Sequence, residues 1–278
     1  NYASPGSSCK KDLPTLSTSI NQAFGNDVIY DSKKNVVYYS VHFTEELCSA
    51  RQEDNLPTGT IELKMAWKVL TNASDMNRYV NITTDIVVTK VLNEDTGETG
   101  SQTLKNVTLG LAGIHIIQST AAHPEMMWGS YEHVDNNPLC RPDESYKNYS
   151  FMSKTCWKSL MDGHTTDPKC NFNQATSSPE LTADSSQICR VFADGSDKSN
   201  KFYTEDYEGN KYDDNKYTEN VDAINQLNEA MAKSTYFDNT PVLKNYQIVG
   251  GLWLSNPNNP STVKVKDKED NTDNQRGS

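Results

Sequence analysis

The sequence predicts a mainly β fold: an antiparallel, jelly-roll-like β-sandwich with a few peripheral helices and a disulfide-tied loop insertion. Several segments alternate apolar and polar residues with a period of two, and clusters of turn-forming residues separate these segments. In addition, residues 107–117 are apolar on both faces, as expected of a strand that is covered on two sides. We expect a single domain over residues 1–278.

Residue patterns place the predicted elements along the chain. Apolar residues recur at helical spacing in the predicted helices, and β-branched or aromatic residues fill the predicted strands. The elements are a helix over 12–24, a hairpin over 28–42, a helical turn over 44–49, strands over 61–69, 80–92, 107–117 and 126–134, a helix over 220–233 and a strand over 245–254. Residues up to 102 after the second long strand are expected to form a surface loop.

Two strands carry predictions about which side chains face water. Alternation over 61–69 places Lys68 on a solvated face. Alternation over 107–117 places Leu111 and His115 on the same face, and the internal glycines indicate a bulge or a close backbone approach.

Charge and hydropathy exclude some classes of partner. Lys and Arg number 26 against 37 Asp and Glu, so the net charge is −11, and nucleic acid is not an expected partner because each neutralised phosphate needs a cation. No apolar run approaches the ~20 residues that cross a bilayer, so no transmembrane segment is expected. The mean hydropathy of −0.73 indicates much solvated loop. The chain begins at Asn1 rather than at Met, which we interpret as removal of a leader or trimming.

The cysteines predict export. They are even in number and form no Cys-x-x-Cys pair, which favours disulfides over zinc or redox motifs. We expect one bridge between the first two cysteines and two bridges among the other four, with reduced thiols as the alternative. The six are Cys9, Cys48, Cys140, Cys156, Cys170 and Cys189. Residues 139–219 are interpreted as a loop-rich, disulfide-bearing insertion, and 255–278 as a flexible or extended tail.

Sequons suggest that some asparagines face water and are candidates for glycosylation. They are Asn72, Asn81, Asn106 and Asn148.

Local signatures of catalysis are absent from the sequence. There is no Gly-x-Ser-x-Gly elbow, phosphate-binding loop, Gly-x-Gly-x-x-Gly or His-Glu-x-x-His. The acidic loop over 203–217 suggests a calcium-binding site. Its sequence does not match the EF-hand pattern, because Thr204 and Asn215 occupy positions where that pattern requires carboxylates. A solvated loop is the favoured interpretation, so no cofactor is predicted and calcium stays a hypothesis.

Histidines near the centre of the chain give a second metal hypothesis. His115, His123 and His133, with Glu132 nearby, are side chains that suit zinc, copper or iron. The alternative is that His115 is a hydrogen-bonded core residue. Glu132 and His133 point to opposite faces of a strand, so we expect one to be buried and paired and the other to face water.

The strand over 126–134 and its turn supply a candidate ligand-binding set. Aromatic rings and polar tips occur there together, although the two aromatic residues are favoured as core. The set is Trp128, Tyr131, Glu132, His133 and Asp135.

Several blocks resemble an uncharacterised family of exported bacterial proteins. The blocks are Gly-Leu-Ala-Gly-Ile-His-Ile at 110–116, Pro124, Trp-Gly-Ser-Tyr-Glu-His-Val-Asp-Asn at 128–136, Ile-Glu-Leu-Lys-Met-Ala-Trp-Lys at 61–68, and 245–249 with Trp253. Some members of that family are labelled cytochrome-c-like because they carry Cys-x-x-Cys-His. The resemblance implies export, but not haem, because this chain has no Cys-x-x-Cys-His.

The sequence therefore favours a secreted, extracellular or periplasmic protein with a structural, assembly or ligand-binding role and no enzymatic activity. The expected partner is a protein, including a second copy that adds to an exposed Val/Tyr-rich strand edge and so polymerises, or a small ligand. The alternative is an exported metal- or haem-linked redox enzyme that uses His115, Glu132 and His133.

Overall fold

The computed structural model describes most of the central chain. The ranges are 28–49, 57–93, 98–123, 126–139, 145–164, 170, 172–173, 186–190, 214–254 and 276–277. The strands are β1 (Tyr38–Phe43), β2 (Ile61–Val69), β3 (Asn81–Asn93), β4 (Glu98–Gln118), β5 (Met127–His133), β6 (Tyr246–Leu254) and β7 (Arg276–Gly277). The helices are α1 (Glu45–Ser49), α2 (Ala73–Met76), α3 (Lys154–Met161) and α4 (Asp214–Lys233), with 3-10 turns at Thr235–Phe237 and Pro241–Asn245. The predicted mainly β class is confirmed.

All described strands belong to one antiparallel sheet. Its order is β1-β2-β4-β5-β6-β7, and β3 pairs with β4 off this path. Leu109 pairs with both β2 and β3, so β3 and β5 follow one another along the same edge of the long strand β4. A second sheet, which a sandwich requires, is absent from the described ranges. The antiparallel β class is thus confirmed and the sandwich is not.

A bulge in β4 overturns one prediction about its faces. Ala66 lies opposite Gly113, whereas its neighbour Trp67 lies opposite Leu111. Adjacent residues of β2 face opposite sides of the sheet, so Leu111 and Gly113 do as well. The predicted shared face of Leu111 and His115 is therefore wrong, because one extra residue reverses the alternation between them.

The main core lies on the face of the sheet that carries Trp67. The β3–β4 hairpin supplies much of its apolar surface, and the Trp67 indole N–H donates to Ser40 Oγ at 2.8 Å. Full burial of one such large side chain contributes about 1.5–3 kcal/mol. The buried members are Tyr38, Trp67, Ile86, Leu109, Leu111 and Tyr246.

The described residues between 145 and 190, which we call the 145–190 segment, cover part of the opposite face. Phe151 packs there with Val37 and Ala112, and its N–H donates to the Asn136 carbonyl at 2.8 Å. A separate cluster surrounds the Cys156–Cys170 disulfide, which confirms one bridge among the last four cysteines. Cys189 is also disulfide-bonded, so the reduced-thiol alternative is excluded for these three residues. The expected Cys9–Cys48 bridge lies outside the described residues.

Helix α4 replaces a neighbouring strand at the outer edge of β6. The Asn228 amide accepts from the Ile248 N–H at 2.7 Å and donates to the Ile248 carbonyl at 2.9 Å. The predicted helix over 220–233 is confirmed and begins earlier, at Asp214. Its apolar stripe is only partly covered, because Leu227 is 51% exposed.

Of the remaining predictions about helices and strands, some are confirmed and others are wrong. β2 has the predicted bounds, and β3, β5 and β6 match theirs within a few residues. Residues 98–102 are not a loop but the start of β4, since they pair with β3. Lys68 is buried rather than solvated. The predicted helix over 12–24 lies outside the described residues, and no helix in the described ranges is long and apolar enough to span a bilayer.

Candidate binding surface and buried polar cluster

Two cross-strand rows form a partly exposed surface, which we call the open face. It lies on the side of the sheet away from the main core, next to the area covered by the 145–190 segment. The first row is Val41, Lys64, His115 and Ser130, and the second is Phe43, Glu62, Ile117 and Trp128. Val41 is 49% exposed, Phe43 45% and Trp128 38%. Val41 and Phe43 are neighbours on one face of β1, whereas Trp128 lies three strands away on β5. Apolar side chains that are exposed together make a surface a candidate for contact with a partner.

Polar and aromatic groups interact at the centre of the open face. The Lys64 ammonium lies 5.1 Å from the centre of the Trp128 ring and 3.5 Å from a Glu62 oxygen. His115 Nδ1 lies 2.7 Å from Ser130 Oγ. Partial burial and then the charge of Lys64 lower the pKa of His115 below its ordinary value. His115 is thus an exposed surface residue, and the prediction of a core histidine is wrong.

The outer edge of β1, which we call the β1 edge, presents backbone groups away from the sheet. The Thr44 N–H donates to the Ile61 carbonyl of β2. In an antiparallel pair the backbone N–H and C=O groups of every second residue point toward the partner strand, so those of His42 and Ser40 also point toward β2. The N–H and C=O groups of Tyr39, Val41 and Phe43 consequently point outward. Within the described ranges, no strand pairs with this edge beyond Val37, whose N–H donates to the Ile29 carbonyl.

A buried polar cluster lies where the 145–190 segment meets the sheet. Ser150 Oγ accepts from Lys68 Nζ at 2.7 Å and lies 3.2 Å from the Tyr79 hydroxyl. Lys68 Nζ also lies 5.0 Å from the centre of the Tyr79 ring. Burial lowers the pKa of Lys68, against the pull of nearby carboxylates led by Asp31, and burial raises the pKa of Tyr79. The contacts resemble an activated serine, but Ser150 is only 5% exposed, which limits access to it.

His133 belongs to the same cluster and is 0% exposed. Its ring stacks on Tyr79 at 3.7 Å. Nδ1 accepts from the Asp135 N–H at 3.1 Å and Nε2 lies 3.1 Å from the Arg78 carbonyl, which fixes the Nε2–H tautomer. Burial lowers the pKa of His133 to about 4. Both ring nitrogens are therefore occupied by the main chain, and neither offers a free lone pair to a metal ion.

The acidic residues near His133 are held in ion pairs. Asp135 pairs with Arg78 at 2.6 Å. Glu132 pairs with Arg190, and burial lowers the pKa of that guanidinium to about 10. The expectation that either Glu132 or His133 faces water is wrong, because Arg190 from the 186–190 segment covers the carboxylate.

The structure does not bring the predicted metal ligands together. His115 lies on the open face, His133 on the opposite side of the sheet, and His123 in the loop after β4. In the part of the chain that the structure describes, no three His, Cys, Asp or Glu side chains form a group that could hold a metal ion.

The predicted ligand-binding set is also divided. Trp128 lies on the open face, so the core interpretation of this residue is wrong. Tyr131 is half-buried on the other side, and the remaining three residues are His133 and the ion-paired acids.

Sequence reasoning missed the buried polar cluster because its members are far apart in the chain. Ser150 is separated from Lys68 by 82 residues, and no local pattern links them. The β1 edge did leave a signal, since the strand reads Tyr-Tyr-Ser-Val-His-Phe, and this fits the expected Val/Tyr-rich edge. All four predicted sequon asparagines are exposed, as expected.

The described residues form an antiparallel β protein with a disulfide-tied segment, an open face and, at β1, a strand edge that no other described strand pairs with. No protein-family profile matches the chain, and no curated protein and no solved structure matches it significantly. Its function must therefore be inferred from its own residues.

Proposed function

We propose that this chain is an exported, disulfide-bonded assembly protein without enzymatic activity, and that it associates with other copies through the β1 edge. The observation that carries this proposal is the outward direction of the backbone groups of Tyr39, Val41 and Phe43. An added strand would pair with these groups, as in β-augmentation.

The composition of β1 supports association. Natural edge strands usually carry a Lys, a Pro or a bulge, or are covered by another segment. These features prevent the strand from pairing with another chain. β1 contains no Lys, Glu, Asp, Arg or Pro and pairs with β2 without a register shift. Its outward residues also carry the exposed side chains Val41 and Phe43, so pairing would bury backbone and apolar surface together.

The disulfide and the buried polar cluster support the other parts of the proposal. The Cys156–Cys170 bridge fits an oxidising compartment, where disulfides form and persist. The polar groups of Ser150 and His133 are engaged inside the protein, which favours a structural role for them over catalysis. No described contact favours the alternative redox enzyme.

Sedimentation velocity over a range of concentrations tests the proposal. Wild-type protein is expected to sediment faster as concentration rises, whereas Val41→Lys stays monomeric because a charge is then buried at the edge. Leu227→Lys is the matched control, since Leu227 is exposed on α4, far from β1 in the sheet order. A wild type that remains monomeric, or a Val41→Lys variant that associates equally well, would overturn the proposal.

A further inference from the structure

We infer that β1 pairs with β1 of a second copy in antiparallel register, about a two-fold axis at Val41, and that this assembly closes as a dimer. The inference rests on the proposed assembly function and adds the register, the orientation and the final size.

The limits of the β1 edge fix the register. On one side, the Val37 N–H is already bonded to Ile29, and on the other the chain turns into α1 after Phe43. The free segment therefore has Val41 at its centre. A two-fold axis there places Val41 opposite itself and Tyr39 opposite Phe43 of the second copy. All three residues direct their backbone groups outward, so each opposed pair exchanges hydrogen bonds.

The side chains of β1 also favour this register, because it brings apolar and aromatic side chains into contact. Val41 would pack against its own counterpart, and Phe43 would lie beside the ring of Tyr39 from the second copy. Aromatic and β-branched cross-strand pairs are among those that stabilise sheets. Pairing would thus cover the two most exposed apolar side chains of β1.

Charge favours the antiparallel orientation. Two chains of net charge −11 repel each other, but β1 itself carries no formal charge. Exposed Lys33 and Lys34 lie in the turn before β1, and exposed Glu45 and Glu46 begin α1 after it. Antiparallel pairing brings the basic end of one copy toward the acidic end of the other, whereas parallel pairing would oppose like charges.

The two-fold symmetry of the contact and the covered edge at the opposite end of the sheet explain why growth through β1 stops at two copies. Asn228 occupies the outward N–H and C=O groups of Ile248, and β7 pairs with Trp253 and Leu254 of β6. The outer edge of β3 also lacks a strand partner among the described residues, but β3 lies off the path from β1 to β7 and takes no part in the β1–β1 contact. A two-fold contact uses the β1 edge of both copies and leaves no β1 edge for a third copy, which narrows the expected polymer to a closed dimer.

The dimer would join the two open faces into one surface. Pairing edge to edge continues the sheet, so both Trp128 side chains lie on the same side of it. β5 is the fourth strand from the axis in each copy, so the two Trp128 positions are separated across the strands by seven strand spacings, about 34 Å at ~4.8 Å each before twist.

Cysteine cross-linking of the full chain tests the register. Hydrogen-bonded antiparallel pairs have Cα atoms about 5.5 Å apart, within the range that a disulfide spans. Under mild oxidation, Val41→Cys is expected to form a covalent dimer. Phe43→Cys alone is expected not to, because its counterpart is residue 39, but mixing it with Tyr39→Cys should give the mixed dimer. Circular dichroism verifies that each variant is folded.

The outcomes separate this inference from the proposed function. Cross-linking of Phe43→Cys alone, or association without cross-linking of Val41→Cys, would overturn the register and leave assembly intact. Sedimentation equilibrium tests closure: the mass should level off at twice 31.1 kDa, and a continued rise would overturn the dimer. Absence of any association would overturn both proposals.

Discussion

At the scale of single residues, His133 makes stability depend on pH. Its pKa in the folded chain is about 4, against an ordinary value of about 6.5, because burial disfavours the charged ring. The unfolded chain therefore binds more protons between these values. This contribution to stability is complete above about pH 6.5 and is lost as the pH falls toward 4.

Urea denaturation at pH 7.5 and pH 5.0 measures this effect. The His133 contribution to the free energy of unfolding should fall by about 2 kcal/mol between the two pH values. His133→Phe keeps an aromatic ring beside Tyr79 and should show a smaller decrease than wild type. Equal decreases in the two proteins would show that His133 is not the buried neutral group described here.

Ser150 gives a second prediction about the buried polar cluster. Ser150→Ala removes the partner of the Lys68 ammonium and of the Tyr79 hydroxyl, and should cost about 1–3 kcal/mol of unfolding free energy. Lys68→Met keeps most of the side-chain volume and removes the buried charge, so it should cost less. Thermal and urea unfolding measure both variants, and a larger loss in Lys68→Met would contradict the assigned contacts.

Residue-level environments were the hardest to predict from the sequence. Alternation treats a strand as uninterrupted, so it does not predict the extra residue at Ala112, which reverses the face on which His115 lies. The pattern predicts a solvated Lys68 because the Ser150 segment that covers this side chain is distant in sequence. The pattern predicts Trp128 in the core because aromatic residues in strands are usually buried, whereas the side chain is 38% exposed.

At the scale of elements, local periodicity predicted most strands. β2 has the predicted bounds because its alternation is regular over its whole length. The start of β4 was missed because residues 98–102 are polar and are ordered by pairing with β3 rather than by burial. The coverage of the outer edge of β6 also could not be predicted, since it depends on one amide from α4.

Substitution of Asn228 tests whether its amide covers the outer edge of β6. Asn228→Ala leaves the Ile248 N–H and C=O without their side-chain partner and should cost about 1–2 kcal/mol. Asn225→Ala, at an exposed position of the same helix, is the matched control. Hydrogen exchange should quicken at the Ile248 amide in the first variant alone, and equal exchange in both variants would contradict the contact.

At the scale of the whole molecule, the pattern of residues along the chain predicts the fold class but not the architecture. Alternating segments and paired cysteines led to a mainly β, disulfide-bonded protein, and both features are present. The sandwich is predicted because a β-sheet usually buries one face against a second sheet. Here the β3–β4 hairpin and the 145–190 segment cover the sheet instead. No local sequence pattern predicts this packing.

Self-association through the β1 edge is the central claim, and residue-resolved amide hydrogen exchange at increasing protein concentration tests it most directly. The N–H groups of Val41 and Phe43 point away from the sheet, whereas those of Ser40 and His42 point toward β2. Exchange at Val41 and Phe43 should therefore slow as concentration rises, while exchange at Ser40 and His42 stays constant. Unchanged exchange at Val41 and Phe43, or equal slowing at all four residues, would contradict strand pairing at this edge.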